Sequence, residues 1–242
     1  MKELEVLERK YQMLEERKSF FLPHTASVSK TFSTYLMLLY SKFTKSAGLP
    51  VWPSRLHINS LMPDSFRSLY PSTRCIIDCT EFPIQIPSDP DTQRATWSTY
   101  KNRNTFKALV GITPYGSISF LSQLYGGSVS DREITKTSGF LDLLEPNDSI
   151  MADKGFTIED LCEERKASLN IPPFIQSGKQ LTEAELVATR RIASLRVHVE
   201  RAIERIKNYL ILDFIPSTRF DIADQLFVVC SILADFQARL IN

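Results

Sequence analysis

The chain has 242 residues, 43% of them hydrophobic and 24% charged, and a net charge of +1, which is ordinary for a soluble globular protein of one or two domains. Four cysteines without a CxxC pair and three scattered histidines argue against a disulfide framework and a zinc site, so we expect a reducing compartment. No apolar run approaches the roughly 18 residues of a membrane span, and the charged amino terminus is unlike a signal peptide.

The first part of the chain is predicted to be helical. Apolar residues recur at spacings of three and four through residues 1–19, which is typical of a coiled-coil piece or of a surface helix. Ser27 is the expected N-cap of a second helix that runs to about Phe43. The proline-rich residues 47–73 are predicted to form a linker.

From residue 74 onward the pattern predicts a mixed sheet with helices. Runs rich in β-branched residues predict strands at 74–86, 105–113 and 117–125, the last two joined in a hairpin by Pro114-Tyr115-Gly116. We expect a strand at 149–153, an edge segment at 169–175, and helices at 131–144, 157–167, 182–209 and 222–240. This α/β order, with a mixed sheet flanked by helices, is that of the ribonuclease-H-like fold, although several other folds share it.

Basic residues are concentrated in two stretches of this nearly neutral chain. Arg94 to Lys107 contains four basic and no acidic residues, and Lys179 to Lys207 contains seven basic and four acidic ones. Such stretches fit a groove that faces phosphates, and the ordinary alternative is a solvated face.

Three acidic residues stand out by their positions in these elements. Asp78 lies inside an apolar strand, where a carboxylate has to be paired, hydrogen-bonded or metal-bound. Asp153 ends a strand, and ligands of open α/β sheets gather at the carboxyl ends of strands. Glu200 flanks the apolar stripe of the long helix, together with Arg196 and Lys207. Three convergent carboxylates can hold two Mg²⁺ or Mn²⁺ ions, and the alternative is that each is an ordinary ion-paired acid.

At this point the chain resembles the DDE superfamily endonuclease domain of PIF/Harbinger-type transposases. The resemblance covers about residues 50–240 and is carried by IIDCTEFPIQIP, YKNRNTFKALVGITPYGSISFLSQLYGGSVSDREIT, MADKGFTIEDL, LNIPPF and IASLRVHVERAIERIKNYLIL. It implies a ribonuclease-H-like fold and Mg²⁺-dependent (or Mn²⁺-dependent) cleavage and transfer of DNA strands. It places the catalytic, metal-binding acids at Asp78, Asp153 and Glu200.

The resemblance also implies roles for residues around these acids. Tyr100-Lys101-Asn102-Arg103 is similar to a family stretch beside the active site, so Lys101 and Arg103, with Arg196 and Lys207, are expected to contact DNA phosphates. Asp131 ends another family-like stretch and is either an accessory acid or the N-cap of the next helix.

Residues 74–242 are therefore expected to form the endonuclease domain, behind the linker 47–73 and a helical segment 1–46. Relatives carry a fuller helix-turn-helix region, and only residues 26–32 resemble the start of its recognition helix, so we expect a truncated DNA-binding region. Asp235 stands where the family tends to have Asn.

DNA is the expected partner and the nucleus the expected location. A separate DNA-binding helper protein and a homo-oligomer are further partners to consider, and no membrane is expected. The main alternative is a domesticated, non-catalytic DNA- or protein-binding protein, which the intact acids disfavour. A phosphatase of the aspartyl-phosphate type needs a second Asp two residues after the first, and that position is Thr80.

Overall fold

The computed structural model describes residues 25–46, 52–173 and 183–237, so the helix predicted at 1–19 lies outside the described residues. The chain divides into two compact units, Met1–Leu39 and Tyr40–Asn242. The predicted domain boundaries at residues 46 and 73 stay predictions.

The first described helix begins earlier than the sequence predicts. Helix α1 spans Thr25–Ser41 and is followed by a π-helical turn, Lys42–Ser46. The prediction of Ser27 as N-cap is wrong, because Ser27 already lies inside the helix. None of the helices within the described ranges is long and apolar enough to cross a membrane.

The remaining elements follow in chain order. The helices are α2 (Arg55–Leu61), α3 (Asp64–Arg67), α4 (Pro90–Thr96), α5 (Asp131–Thr137), α6 (Glu159–Glu164), α7 (Glu183–Lys207) and α8 (Ala223–Asp235), with 3₁₀ turns at Phe140–Leu143, Leu210–Leu212 and Ser217–Ile222. The strands are β1 (Thr73–Pro83), β2 (Trp97–Ser98), β3 (Arg103–Ile112), β4 (Ile118–Leu121), β5 (Tyr125–Gly126), β6 (Ser149–Met151) and β7 (Ser168–Asn170).

The described strands form one mixed sheet in which β1 is central. Strand β3 pairs antiparallel with β1, and β6 and β7 continue the sheet in parallel on the other side of β1. The short strands β2, β5 and β4 pair with successive parts of the free edge of β3. Because β1 has neighbours on both sides and helices on both faces, its apolar run is almost continuous rather than alternating.

Helices cover the two faces of the sheet. On one face, Ile77 and Leu109 of the strands pack with Ile134 of α5 and Leu161 of α6. On the other, the ring of Phe82 lies 5.4 Å from that of Phe227 in α8. The predicted α/β class, a mixed sheet flanked by helices, is confirmed and is consistent with the ribonuclease-H-like fold.

Two local features differ from the sequence prediction. Residues 131–144 do not form one helix, because Gly139 adopts φ +80° and separates α5 from a 3₁₀ turn. The helix α4 was not predicted; it begins at Pro90, and the Asp89 carboxylate accepts a hydrogen bond from the Thr92 N–H at 2.8 Å.

The predicted linker carries structure of its own. Helices α2 and α3 lie within the proline-rich stretch. Ile58 of α2 and Phe66 of α3 are almost fully buried. Residues 52–72 therefore contribute side chains to the core of the second unit.

A buried ionic cluster joins the amino ends of β1 and β6. Arg74, at the start of β1, is 1% exposed and lies 3.6 Å from the carboxylate of Asp148, which is itself fully buried. Asp148 also contacts Arg55, and Glu145 lies 3.6 Å from Arg74. These charges stabilise the end of the sheet that is remote from the carboxyl ends of the parallel strands.

Candidate active site

The strand register brings Asp78 and Asp153 together. Ile76 of β1 pairs with Met151 of β6 in parallel, so two residues later Asp78 and Asp153 stand at the same level of neighbouring chain segments. Neighbouring strands lie about 4.8 Å apart, and residues two apart share a face. Both acids therefore lie on one face of the sheet, at the end where β6 stops.

Glu200 is linked to this pair through an arginine. Arg196, one turn before Glu200 on α7, donates a hydrogen bond from Nη1 to Asp153 Oδ1 at 3.0 Å. Its Nη2 lies 3.6 Å from Glu200 Oε1. The predicted site residues Asp153, Glu200 and Arg196 thus lie in contact, with the arginine between the two acids.

The charges of these groups act on Asp78. Burial raises the pKa of Asp78 to about 6, while Arg196 and the N–H of Cys79 lower it and the carboxylates of Asp153 and Glu200 raise it. The Cys79 N–H donates to Asp78 Oδ1 at 2.9 Å. The three predicted acids are therefore close enough to influence one another, and the most enclosed of them is Asp78.

Three of the four predicted phosphate-binding cations border one groove. A cavity of about 360 Å³ is lined by Lys101, Arg103 and Lys207, together with Glu81, Phe82, Pro83, Thr105, Leu212 and Asp213. Burial and the charge of Lys101 lower the pKa of Lys207, while Glu81 and Asp78 raise it. Lys207 thus lines the groove and is also close enough to Asp78 for the two charges to interact.

Asp131 belongs to a different cluster. The N-cap of α5 is Ser130, whose Oγ accepts a hydrogen bond from the Glu133 N–H at 3.1 Å, so the prediction of Asp131 as N-cap is wrong. Asp131 Oδ1 lies 3.4 Å from Nζ of Lys107, which pairs with Glu81 across β1 and β3. Because Glu81 is three residues from Asp78, this cluster lies on the opposite face of the sheet.

The four cysteines are not available as nucleophiles. Burial raises the pKa values of Cys75, Cys162 and Cys230 to about 12. Burial, followed by the charge of Asp131, also raises the pKa of Cys79. At neutral pH these thiols are protonated, so covalent thiolate chemistry is not supported.

The donor set fits a divalent cation chemically. Carboxylate oxygens suit Mg²⁺ and Mn²⁺, and three acids with one arginine leave two negative charges to attract such an ion. The side chains of Asp153 and Glu200 are 52% and 55% exposed, so they are accessible to solvent ions. Over the described part of the chain, no three His, Cys, Asp or Glu side chains are already grouped around one point as metal ligands.

The arginine contact is the feature that sequence reasoning missed. Its signal was the spacing of Arg196 and Glu200, which places them one helical turn apart on one face. The second contact, to Asp153, joins residues 43 positions apart and has no local signature.

Comparison with known proteins identifies the family of this chain. The DDE superfamily endonuclease family model matches residues 77–235, more than half of the chain, and the matched stretch contains all three acids. No curated protein and no solved structure matches the chain. The match supports a nuclease with DNA as its substrate, in a family whose domains generally use divalent metals. The chain therefore belongs to the DDE superfamily endonucleases.

Proposed function

We propose that this chain is the core of a transposase of the PIF/Harbinger type, which cleaves DNA phosphodiester bonds by a two-metal mechanism. The observation that carries the proposal is the pair of contacts that Arg196 makes with Asp153 and Glu200, near Asp78, whose pKa both of these acids raise. Asp153 follows the carboxyl end of β6, and active sites in open α/β sheets form at the carboxyl ends of parallel strands.

The carboxylate oxygens of Asp78, Asp153 and Glu200 would hold Mg²⁺ or Mn²⁺. Bound ions of this kind supply activation of the attacking oxygen and stabilisation of the leaving oxygen. Asp78 would be the fixed ligand, because its strand lies between two hydrogen-bonded neighbours and its carboxylate is held by the Cys79 N–H. Asp153 and Glu200, which are half exposed, would complete the site from the solvent side.

The cations of the groove would position the DNA backbone. Lys101, Arg103 and Lys207 border one cavity, and Lys207 lies within electrostatic reach of Asp78. Phosphate contacts of this type fix the register of a nucleic acid without reading its sequence. In this proposal, binding is steeply salt-dependent and the groove orients the strand toward the acids.

Recognition of a particular target is expected to need more than this domain. Helix α1 exposes Val28, Tyr35 and Leu38, and it stands where the family-like recognition helix was expected. We propose that it is the recognition helix of a helix-turn-helix region. A separate DNA-binding helper or a second copy of the chain would then supply target recognition, in the nucleus where the DNA lies.

A second candidate is a domesticated, non-catalytic DNA- or protein-binding protein. The observation that favours it is the pairing of Arg196 with two of the three acids, because such a pairing can serve stability alone. In that case the acids would be kept for folding, and no metal would be required.

Nicking of supercoiled plasmid DNA in the presence of Mn²⁺ separates the two candidates. We expect cleavage by the wild type and a loss of at least about a hundredfold in Asp78→Asn, Asp153→Asn and Glu200→Gln, with Asp221→Asn, an exposed acid, as the matched control. Melting temperatures would show that each variant is folded. A folded wild type that fails to nick, or variants that nick as well as the wild type, would favour the non-catalytic candidate.

A further inference from the structure

The Arg196 side chain is more deeply buried than the two carboxylates that it contacts. The Arg196 side chain is 10% exposed, whereas those of Asp153 and Glu200 are more than half exposed. Its Nε is buried and has no hydrogen-bond partner. A buried cation with an unsatisfied donor depends on the neighbouring carboxylates for its stability.

The two contacts of Arg196 differ in strength. The 3.0 Å contact with Asp153 is a charge-assisted hydrogen bond, while the 3.6 Å contact with Glu200 is an ion pair without a hydrogen bond. The guanidinium contacts one oxygen of each carboxylate, Asp153 Oδ1 and Glu200 Oε1. Its positive charge neutralises part of the charge of both acids and repels an approaching divalent cation, so the arginine and a metal ion compete for the same two carboxylates.

We propose that Arg196 is an internal counter-cation that a divalent metal ion has to displace from Asp153 and Glu200. The inference rests on the proposed function, because it assumes that these acids are metal ligands. It makes Arg196 a competitor of the metal ion, because the arginine neutralises Asp153 and Glu200 before the metal ion arrives. Its displacement then lowers the metal affinity below what three bare carboxylates would give.

The i, i+4 spacing makes such an exchange possible without movement of the helix. Arg196 and Glu200 lie one turn apart on α7, so rotation of the arginine side chain alone separates the two groups. The released guanidinium stays beside the acids. There it can bind a DNA phosphate, which is the contact predicted for Arg196 from the sequence. A lysine at this position would carry the charge without the planar fork that contacts two carboxylates at once.

The test is calorimetric titration of Mn²⁺ into the wild type, Arg196→Met and Arg196→Gln. Methionine removes the charge but keeps the apolar stem, and glutamine keeps a hydrogen-bond donor for Asp153 without the charge. We expect both variants to bind Mn²⁺ about tenfold more tightly than the wild type. The matched control is Arg165→Met, which removes one positive charge from an exposed ion pair with Asp142 and is expected to leave Mn²⁺ affinity unchanged.

A second measurement keeps the proposal open to refutation if one variant is poorly folded. The rise in melting temperature on addition of Mn²⁺ is expected to be larger for a folded Arg196 variant than for the wild type. If the wild type binds Mn²⁺ and both variants bind it equally or more weakly, Arg196 is a structural clasp, and the inference fails while the proposed function stands. If neither the wild type nor any variant binds Mn²⁺, the proposed function fails, and this inference fails with it.

Discussion

Lys207 lies over the ring of Phe82, with Nζ 5.9 Å from the ring centroid. Phe82 is four residues after Asp78 on β1, and Lys207 is seven residues after Glu200 on α7. Strand β1 therefore carries both Asp78 and a residue that lines the basic groove. Helix α7 does the same with Glu200 and Lys207. In the proposed function, this arrangement would direct a DNA strand in the groove toward the acids.

The groove predicts a salt-dependent interaction with DNA. Replacement of Lys101, Arg103 or Lys207 by Gln removes one phosphate partner, so we expect the slope of log affinity against log salt to fall by about one for each. Fluorescence anisotropy with a labelled duplex and a metal chelator measures this slope without cleavage. Lys136→Gln, at an exposed position of α5, serves as the control and is expected to leave the slope unchanged.

The raised pKa of Asp78 predicts a cost to stability at neutral pH. Because the folded state has a pKa of about 6 and the unfolded state one near 3.8, the folded state binds the proton more tightly. The free energy of unfolding therefore falls as pH rises from about 4 to about 6, by up to about 3 kcal/mol.

Denaturant unfolding without metal ions measures this cost. Asp78→Asn is expected to be more stable than the wild type at pH 7.5, with the difference closing near pH 4. An Asn variant less stable than the wild type at both pH values would mean that the carboxylate stabilises the fold.

Replacement of Asp148, in the buried ionic cluster at the amino end of β1, is expected to cause a large loss of stability. Asp148 is fully buried and contacts Arg55 and Arg74, so Asp148→Ala leaves the buried Arg74 with the more exposed carboxylate of Glu145 and without its buried partner. We expect a loss of about 3–5 kcal/mol in the free energy of unfolding. Asp142→Ala, which breaks an exposed ion pair with Arg165, is expected to cost at most about 1 kcal/mol. Equal losses would show that Asp148 contributes no more than a surface charge.

Gly126 and Gly127 lie so close to neighbouring atoms that a side chain at either position is expected to destabilise the fold. A Cβ on Gly127 would lie 2.1 Å from Thr105 Oγ1 and 2.7 Å from the carbonyl oxygen of Thr96. Gly127→Ala is therefore expected to lower the free energy of unfolding by about 1–3 kcal/mol, because β3 or the end of α4 has to shift. Gly155→Ala is the matched control, since its Cβ would meet no atom within 4 Å, and thermal melting of both variants decides the point.

Much of the fold was predictable because local signals and tertiary packing agree. The β-branched run around Asp78 is a strand buried between two neighbours, and the prolines after Leu169 keep β7 at the edge of the sheet. Helix α4 escaped prediction because its seven residues, PDTQRAT, show no apolar periodicity. Its packing beside Gly126 and Gly127 is a tertiary effect that no local pattern encodes.

The departure at Asp235 also has a tertiary explanation. Its Oδ1 accepts a hydrogen bond from the Ile118 N–H at 2.8 Å, which connects the end of α8 to the start of β4. The Oδ1 of an asparagine, the residue that the family resemblance predicts here, can accept the same bond. The sequence alone does not indicate this contact, because Ile118 and Asp235 are 117 positions apart.

The acids of the candidate site were selected from the sequence, and their contacts were not. Asp78, Asp153 and Glu200 stand out by their strand and helix positions and by the family resemblance, and their role as catalytic residues stays a prediction. In the structure Arg196 contacts Asp153 and Glu200, while its predicted contact with a DNA phosphate stays a prediction. Which partner a cation takes depends on the tertiary position of the acids, and the helix pattern alone does not contain that information.

Calorimetric titration of Mn²⁺ into the wild type, Asp78→Asn and Glu200→Gln tests the central claim most directly. If the three acids form one metal site, the wild type binds Mn²⁺ and each variant loses affinity by at least about tenfold. Asp221→Asn then binds as the wild type does. Folded variants with unchanged Mn²⁺ affinity, or a folded wild type that binds no Mn²⁺, would contradict the account.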